Sequence, residues 1–219
     1  MDQEVFTKAY FKGLATKLAP YGYKPDALVK AVWTGTGAMI KNDGTCTNEE
    51  AFWKVFYSLY GEGAKAHFPI FEEFYKTDFD KVKESCGFNP NAKAIVYALK
   101  EKGYRVGLAT NPIFPSIATE ARIRWAGLEP SDFEFYTTYE NSRFCKPSTS
   151  YYGEILEKHG IDPESCIMVG NDAVEDVAAA KLGIKMFLLT DCLINKNGDD
   201  ISRLPHGTFS DLFNFFGLT

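Results

Sequence analysis

The chain has 219 residues, 45% of them hydrophobic and 24% charged, which is the composition of a globular protein and excludes collagen-like, coiled-coil and extensively disordered chains. Lys and Arg total 24 against 29 Asp and Glu, a net charge of -5. No basic field draws in phosphate backbones, so nucleic acid is not an expected partner. Uncharged apolar runs such as residues 166–170 and 186–189 fall far short of the roughly 20 residues that cross a bilayer, so no membrane partner is expected.

The chain opens on MDQEVFTKAY, charged and helical in pattern with no apolar signal core, which predicts a cytoplasmic location. Val5, Phe6, Ala9, Tyr10, Leu14 and Leu18 recur on one helical face until Pro20, the signature of an amphipathic helix. Thr47 followed by Glu50 reads as a capping box that opens a second helix. Its inward face carries Phe52, Trp53, Phe56, Tyr57 and Tyr60 before Gly61 and Gly63 break it. Together with Trp33, these aromatics are expected to form the core of a helical subdomain over residues 1–88. Residues 68–76 continue the helical pattern. Asn42-Asp43-Gly44-Thr45 reads as a turn.

From residue 89 to 219 the pattern changes to helices alternating with short apolar runs, which predicts an α/β domain with a parallel sheet. Expected strands lie at 104–109, 133–138, 166–170 and 184–189, and expected helices at 91–102, 116–125, 151–159 and 174–182. Cys46, Cys86, Cys145, Cys166 and Cys192 contain no C-x-x-C pair and suit a reducing compartment. His67, His159 and His206 lack metal-ligand spacing.

In open parallel sheets, ligands bind beyond the carboxyl ends of the strands. Thr110-Asn111 follows the first expected strand, Lys146-Pro147 the loop after the second, and Asn171-Asp172 with Asp176 the third. A hydroxyl and an amide, a cation, and a carboxylate cluster are the inventory of a phosphate-plus-metal site. Each also has a structural use, since acids favour helix N-termini and Thr and Asn favour caps and turns.

In order and spacing these segments resemble the haloacid dehalogenase-like hydrolase superfamily, whose phosphatases carry four motifs on a Rossmann-like sheet with a helical cap. VGLATN, residues 106–111, resembles the second motif; Lys146 in CKPS the third; VGNDAVEDVAAAKLG, residues 169–183, the acidic fourth. The resemblance implies that Thr110 and Asn111 bind the phosphoryl group. It implies that Lys146 neutralises nucleophile and phosphate, and that Asp172, Asp176 and Asn171 hold Mg²⁺. Asn171 stands where the family has its first acid, which puts the division of ligands between Asn171 and Asp172 in question.

The first motif, a strand ending in Asp-x-Asp-Gly-Thr, is not present; Asp43-Gly44-Thr45 follows Lys41, not an aspartate, by two positions. The family places that strand centrally, and it supplies the nucleophile and the acid-base group. Dropping it leaves backbone groups without partners at about 1–3 kcal/mol each. The expectation is that the natural protein starts about 15–20 residues earlier, one strand and its motif, and that the 219 residues alone are inactive. The resemblance therefore implies a Mg²⁺-dependent phosphohydrolase of a small phosphorylated metabolite. The alternatives are a non-catalytic phosphoester-binding or interaction protein, and a dehalogenase or phosphosugar mutase of the same superfamily.

Overall fold

In the computed structural model, which describes residues 3–218, the chain divides into two units. The first holds the chain up to Pro90 together with Gly107–Arg143; the second holds Asn91–Val106 and the chain from Phe144 onward.

The first unit is helical. Helices α1 (Gln3–Leu18), α2 (Pro25–Ile40), α3 (Asn48–Tyr60) and α4 (Phe68–Thr77) are followed within it by α6 (Ser116–Trp125). As its periodicity predicts, α1 buries Phe6, Tyr10, Leu14 and Leu18, whereas Val5 points to solvent. The capping box of α3 forms: the Glu50 amide donates to Thr47 Oγ1 at 3.2 Å and the Thr47 amide to Glu50 Oε2 at 2.8 Å. This satisfies two of the helix's orphan donors. Asn42 to Thr45 is a turn, closed by the Thr45 amide and hydroxyl on Asp43 Oδ1.

Two packing details define this core. A Cβ on Gly35 of α2 would lie 2.6 Å from the Phe52 ring of α3, so only glycine lets these two helices approach as they do. Trp53 and Phe56 meet Phe71 edge-on at 5.1 and 5.3 Å, a geometry that favours the ring quadrupoles. Trp33, expected in the core, is instead 52% exposed. The buried stripe of α2 runs through Leu28, Ala31, Val32, Gly35, Thr36 and Met39, and Trp33, one residue past Val32, is turned about 100° away from it.

Of the expected strands at 104–109 and 133–138, the described structure keeps a single parallel bridge, Leu108 to Tyr136. The Leu108 amide donates to the Phe135 carbonyl at 2.9 Å and the Thr137 amide to the Leu108 carbonyl at 3.1 Å. The Phe135 ring fills the space beside Gly107 where a side chain would stand, and a glycine within a strand weakens it.

The second unit carries the sheet. Strands β1 (Ile167–Gly170), β2 (Lys185–Leu189) and β3 (His206–Gly207) are parallel in the order β1-β2-β3. Ile167 stands opposite Lys185, Gly170 opposite Leu188, and Leu188 opposite His206. Helices α5 (Pro90–Glu101), α7 (Thr149–His159) and α8 (Phe209–Phe215) accompany it. Met186 to Leu189 are all buried, as a central strand requires, whereas Val169 of β1 is 36% exposed. The core beneath the sheet joins Ile95, Phe187, Leu189, Phe209, Leu212 and Phe216. The expected helix at 174–182 is a shorter 3-10 helix, Val177–Leu182, because the loop before it is held by the hydrogen bonds described next. No helix among the described residues is long and apolar enough to cross a membrane.

Candidate active site

Lys146 lies in the second unit, two residues before Ser148, whose hydroxyl caps α7 by accepting from the Ser150 amide at 3.2 Å. Lys146 is only 6% exposed. Its Nζ donates to Asp176 Oδ1 at 2.6 Å, and Asp176 is itself buried. A buried lysine is tolerated only when paired and hydrogen-bonded. Here the pairing closes a sequence gap of 30 residues.

The other oxygen of Asp176 is also occupied. Oδ2 accepts from the Asn171 amide at 2.8 Å and the Asp172 amide at 2.9 Å, and the Asp176 amide returns a bond to the Asp172 carbonyl at 3.1 Å. Asp172 Oδ1 accepts from the Val174 and Glu175 amides at 2.8 and 2.9 Å. Asn171 Nδ2 donates to the Cys192 carbonyl at 2.8 Å. The loop leaving β1 is thus wound around one carboxylate. Gly170 makes this possible, because a side chain there would overlap the Asp176 carboxylate.

Two residues not singled out by motif complete the surroundings. The rings of Tyr151 and Tyr152, on the first turn of α7, each stand 5.9 Å from Lys146 Nζ, where their faces favour the cation. The Tyr152 hydroxyl donates to the Glu175 carbonyl at 2.7 Å. Burial first, and then the charges of Asp176, Glu175 and Asp172, raise the Tyr152 phenol well above its ordinary value, so it remains a donor. The sequence signal was an aromatic pair one turn after a Lys-Pro step.

Lys146, Asn171, Asp172 and Asp176 are therefore brought together. Thr110 and Asn111 lie in the first unit. There the Thr110 carbonyl accepts from the Thr137 hydroxyl at 2.7 Å, and the Asn111 carbonyl from the Ile113 amide at 2.9 Å. Glu140 caps the helix that follows them. The Ser116 amide donates to its two carboxylate oxygens at 2.8 and 3.0 Å.

The side chains of Asn171, Asp172, Glu175 and Asp176 all carry oxygen atoms, and oxygen is what a hard divalent cation takes. Among the described residues, no three His, Cys, Asp or Glu side chains gather as a metal set. The loop thus fits as part of a coordination sphere and not the whole of one.

Residues 48–183 match the family model described as haloacid dehalogenase-like hydrolase. The chain belongs to that family. Among curated relatives, the glyceraldehyde 3-phosphate phosphatase of Methanothermobacter thermautotrophicus is 32% identical over 129 residues, covering 52% of this chain and 56% of that protein. The putative phosphatase YhcW of Bacillus subtilis is 24% identical over 127 residues, covering 58% and 56%. The chain spans a little over half the length of both. Among haloacid dehalogenase-like structures, the 2-haloacid dehalogenase of Pseudomonas syringae superposes with a TM-score of 0.63 at 17% identity, over 98% of this chain and 92% of that one. The phosphatase of Thermococcus onnurineus gives 0.58 at 17% identity, over 98% and 91%. These two likenesses establish the haloacid dehalogenase fold.

Proposed function

We propose that this member of the family is a Mg²⁺-dependent hydrolase of small phosphorylated metabolites. The observation that carries the reading is the buried Lys146 ammonium, fixed at 2.6 Å by Asp176 beside a loop of oxygen donors. A preorganised cation in a low-dielectric site stabilises phosphoryl charge far more than a solvated one does. The curated relatives support it, both being named phosphatases, one of them of glyceraldehyde 3-phosphate.

In this reading Thr110 and Asn111 bind phosphoryl oxygens through hydroxyl and amide. Lys146 neutralises charge on the transferring group. Asp176, filled by one ammonium and two amides, aims Lys146 and shapes the loop, while Asp172 and Asn171 face the ion. Bound Mg²⁺ supplies Lewis-acid polarisation of the phosphoryl oxygens. Helices α1 to α4 act as the cap, and residues 89–219 as the Rossmann-like core.

The nucleophile belongs to an Asp-x-Asp-Gly-Thr strand that the 219 residues do not contain. Hydrolysis of p-nitrophenyl phosphate tests the reading. The 219 residues alone are expected to give no Mg²⁺-dependent turnover, and the same residues supplied with an Asp-x-Asp-Gly-Thr strand to give it. Turnover by the 219 residues overturns the missing nucleophile. Binding without turnover in both forms marks a phosphoester-binding protein instead.

A further inference from the structure

In the first unit, Arg122 of α6 is half-buried, with its guanidinium carbon 5.7 Å from the Phe6 ring centroid and 5.5 Å from that of Phe114. Among the described residues it has no hydrogen-bond or ion-pair partner. The acids of this region serve another cation: Arg124 takes Glu120 at 3.2 Å and Glu129 at 3.4 Å. Burial lowers Arg122 from its ordinary value, and the one neighbour acting against this is the Cys86 thiol. The guanidinium nonetheless stays charged.

Two rings against a guanidinium partly offset its lost hydration, but they do not use its five N–H donors. A half-buried cation with no acid opposite is complementary to an external anion. Its position says which molecule brings that anion. Phe114 follows Asn111 by three residues, at most about 10 Å of chain, and the Ile113 amide folds that stretch back onto the Asn111 carbonyl. Arg122, on α6, thus packs against the loop that carries the proposed phosphoryl-binding residues.

We infer that Arg122 binds a carboxylate, and that the substrate is a small phosphorylated acid. The phosphoryl half of this inference rests on the function proposed above. A carboxylate suits the site better than a second phosphate. One guanidinium balances one negative charge, and its planar fork matches two carboxylate oxygens.

Two titrations of the 219-residue protein test this. The Nε–H resonance of Arg122, identified by its loss in Arg122→Lys, is expected to shift saturably with glycolate and to stay still with neutral glycolamide. Calorimetry is expected to show phosphoglycolate binding about 10-fold or more tighter than ethyl phosphate. Arg122→Gln erases that advantage and leaves ethyl phosphate unchanged. A flat glycolate titration, or an advantage that survives in Arg122→Gln, overturns the inference. If glycolate binds and neither phosphoester does, Arg122 stands as a carboxylate site and the phosphohydrolase reading falls.

Discussion

Lys146 Nζ donates to Asp176 Oδ1 at 2.6 Å with both side chains buried, and the same carboxylate accepts the amides of Asn171 and Asp172. One aspartate therefore holds a cation and a loop at once. Replacing either member of the pair leaves the other charge buried without its counter-charge, at about 3–5 kcal/mol. Lys146→Met and Asp176→Asn are each expected to destabilise the second unit by that amount. The double variant should fall short of the sum by at least about 1 kcal/mol, because both single variants remove the same ion pair and only they leave a buried charge uncompensated. All three tryptophans, Trp33, Trp53 and Trp125, lie in the first unit. Hydrogen exchange of the Val169 and Phe187 amides is the measurement that reports on the right unit.

Gly170→Ala should loosen the same loop as Asp176→Asn without replacing a charged group. Its methyl would overlap the Asp176 carboxylate, and overpacking of this kind costs about 1–3 kcal/mol. The expected signature is faster exchange of the Asn171 and Asp172 amides. Gly153→Ala, where a Cβ meets nothing within 4 Å, is the matched control and should leave them unchanged.

Asn48 of α3 is wholly buried. Its Nδ2 donates to the Pro112 carbonyl at 3.2 Å, and its Oδ1 accepts from Asn42 Nδ2 at 2.9 Å. Asn48→Ala leaves the Pro112 carbonyl without this donor and Asn42 Nδ2 with only its bond to the Cys46 carbonyl, and a buried group left unsatisfied costs about 1–3 kcal/mol. Urea unfolding followed by tryptophan fluorescence should move to lower denaturant. Asn48→Asp, which keeps the acceptor but sets a buried carboxylate against the Pro112 carbonyl, should be at least as destabilising.

Asp78 gives the first unit an acid-sensitive contact. The Lys81 ammonium at 2.6 Å, the Thr77 hydroxyl and Lys17 hold its carboxyl down to about 2. The unfolded chain takes up the proton near the ordinary value of about 3.9, so below it the unfolded state binds more protons. The stabilisation is complete above about pH 4 and is lost as pH falls toward 2. Asp78 is half-buried beside the exposed Lys81 at the protein surface, so the effect is small. Urea midpoints at pH 5 and pH 3 should differ less in Asp78→Asn than in the parent.

Local rules carried much of this structure. Leu14, Leu18 and the Thr47–Glu50 box sit where periodicity and capping put them, because those signals act over three or four residues. Trp33 misled because hydrophobicity alone does not say which side of a helix a residue takes. The strands at 104–109 and 133–138 shrank to the Leu108–Tyr136 bridge, since strand length is set by partners that a run of letters does not name. The acidic loop was legible as a cluster. That Asp176 spends its oxygens on Lys146 and two amides was not, because the contact spans 30 residues and depends on Gly170 leaving room.

The backbone passes between the two units at 90–91, 106–107 and 143–144. Neither unit is a contiguous stretch of gene, so no deletion from either end yields one of them intact. Isolating the sheet-bearing half means splicing 91–106 directly to 144 through a new linker, and exchanging the helical half means replacing two separate segments together.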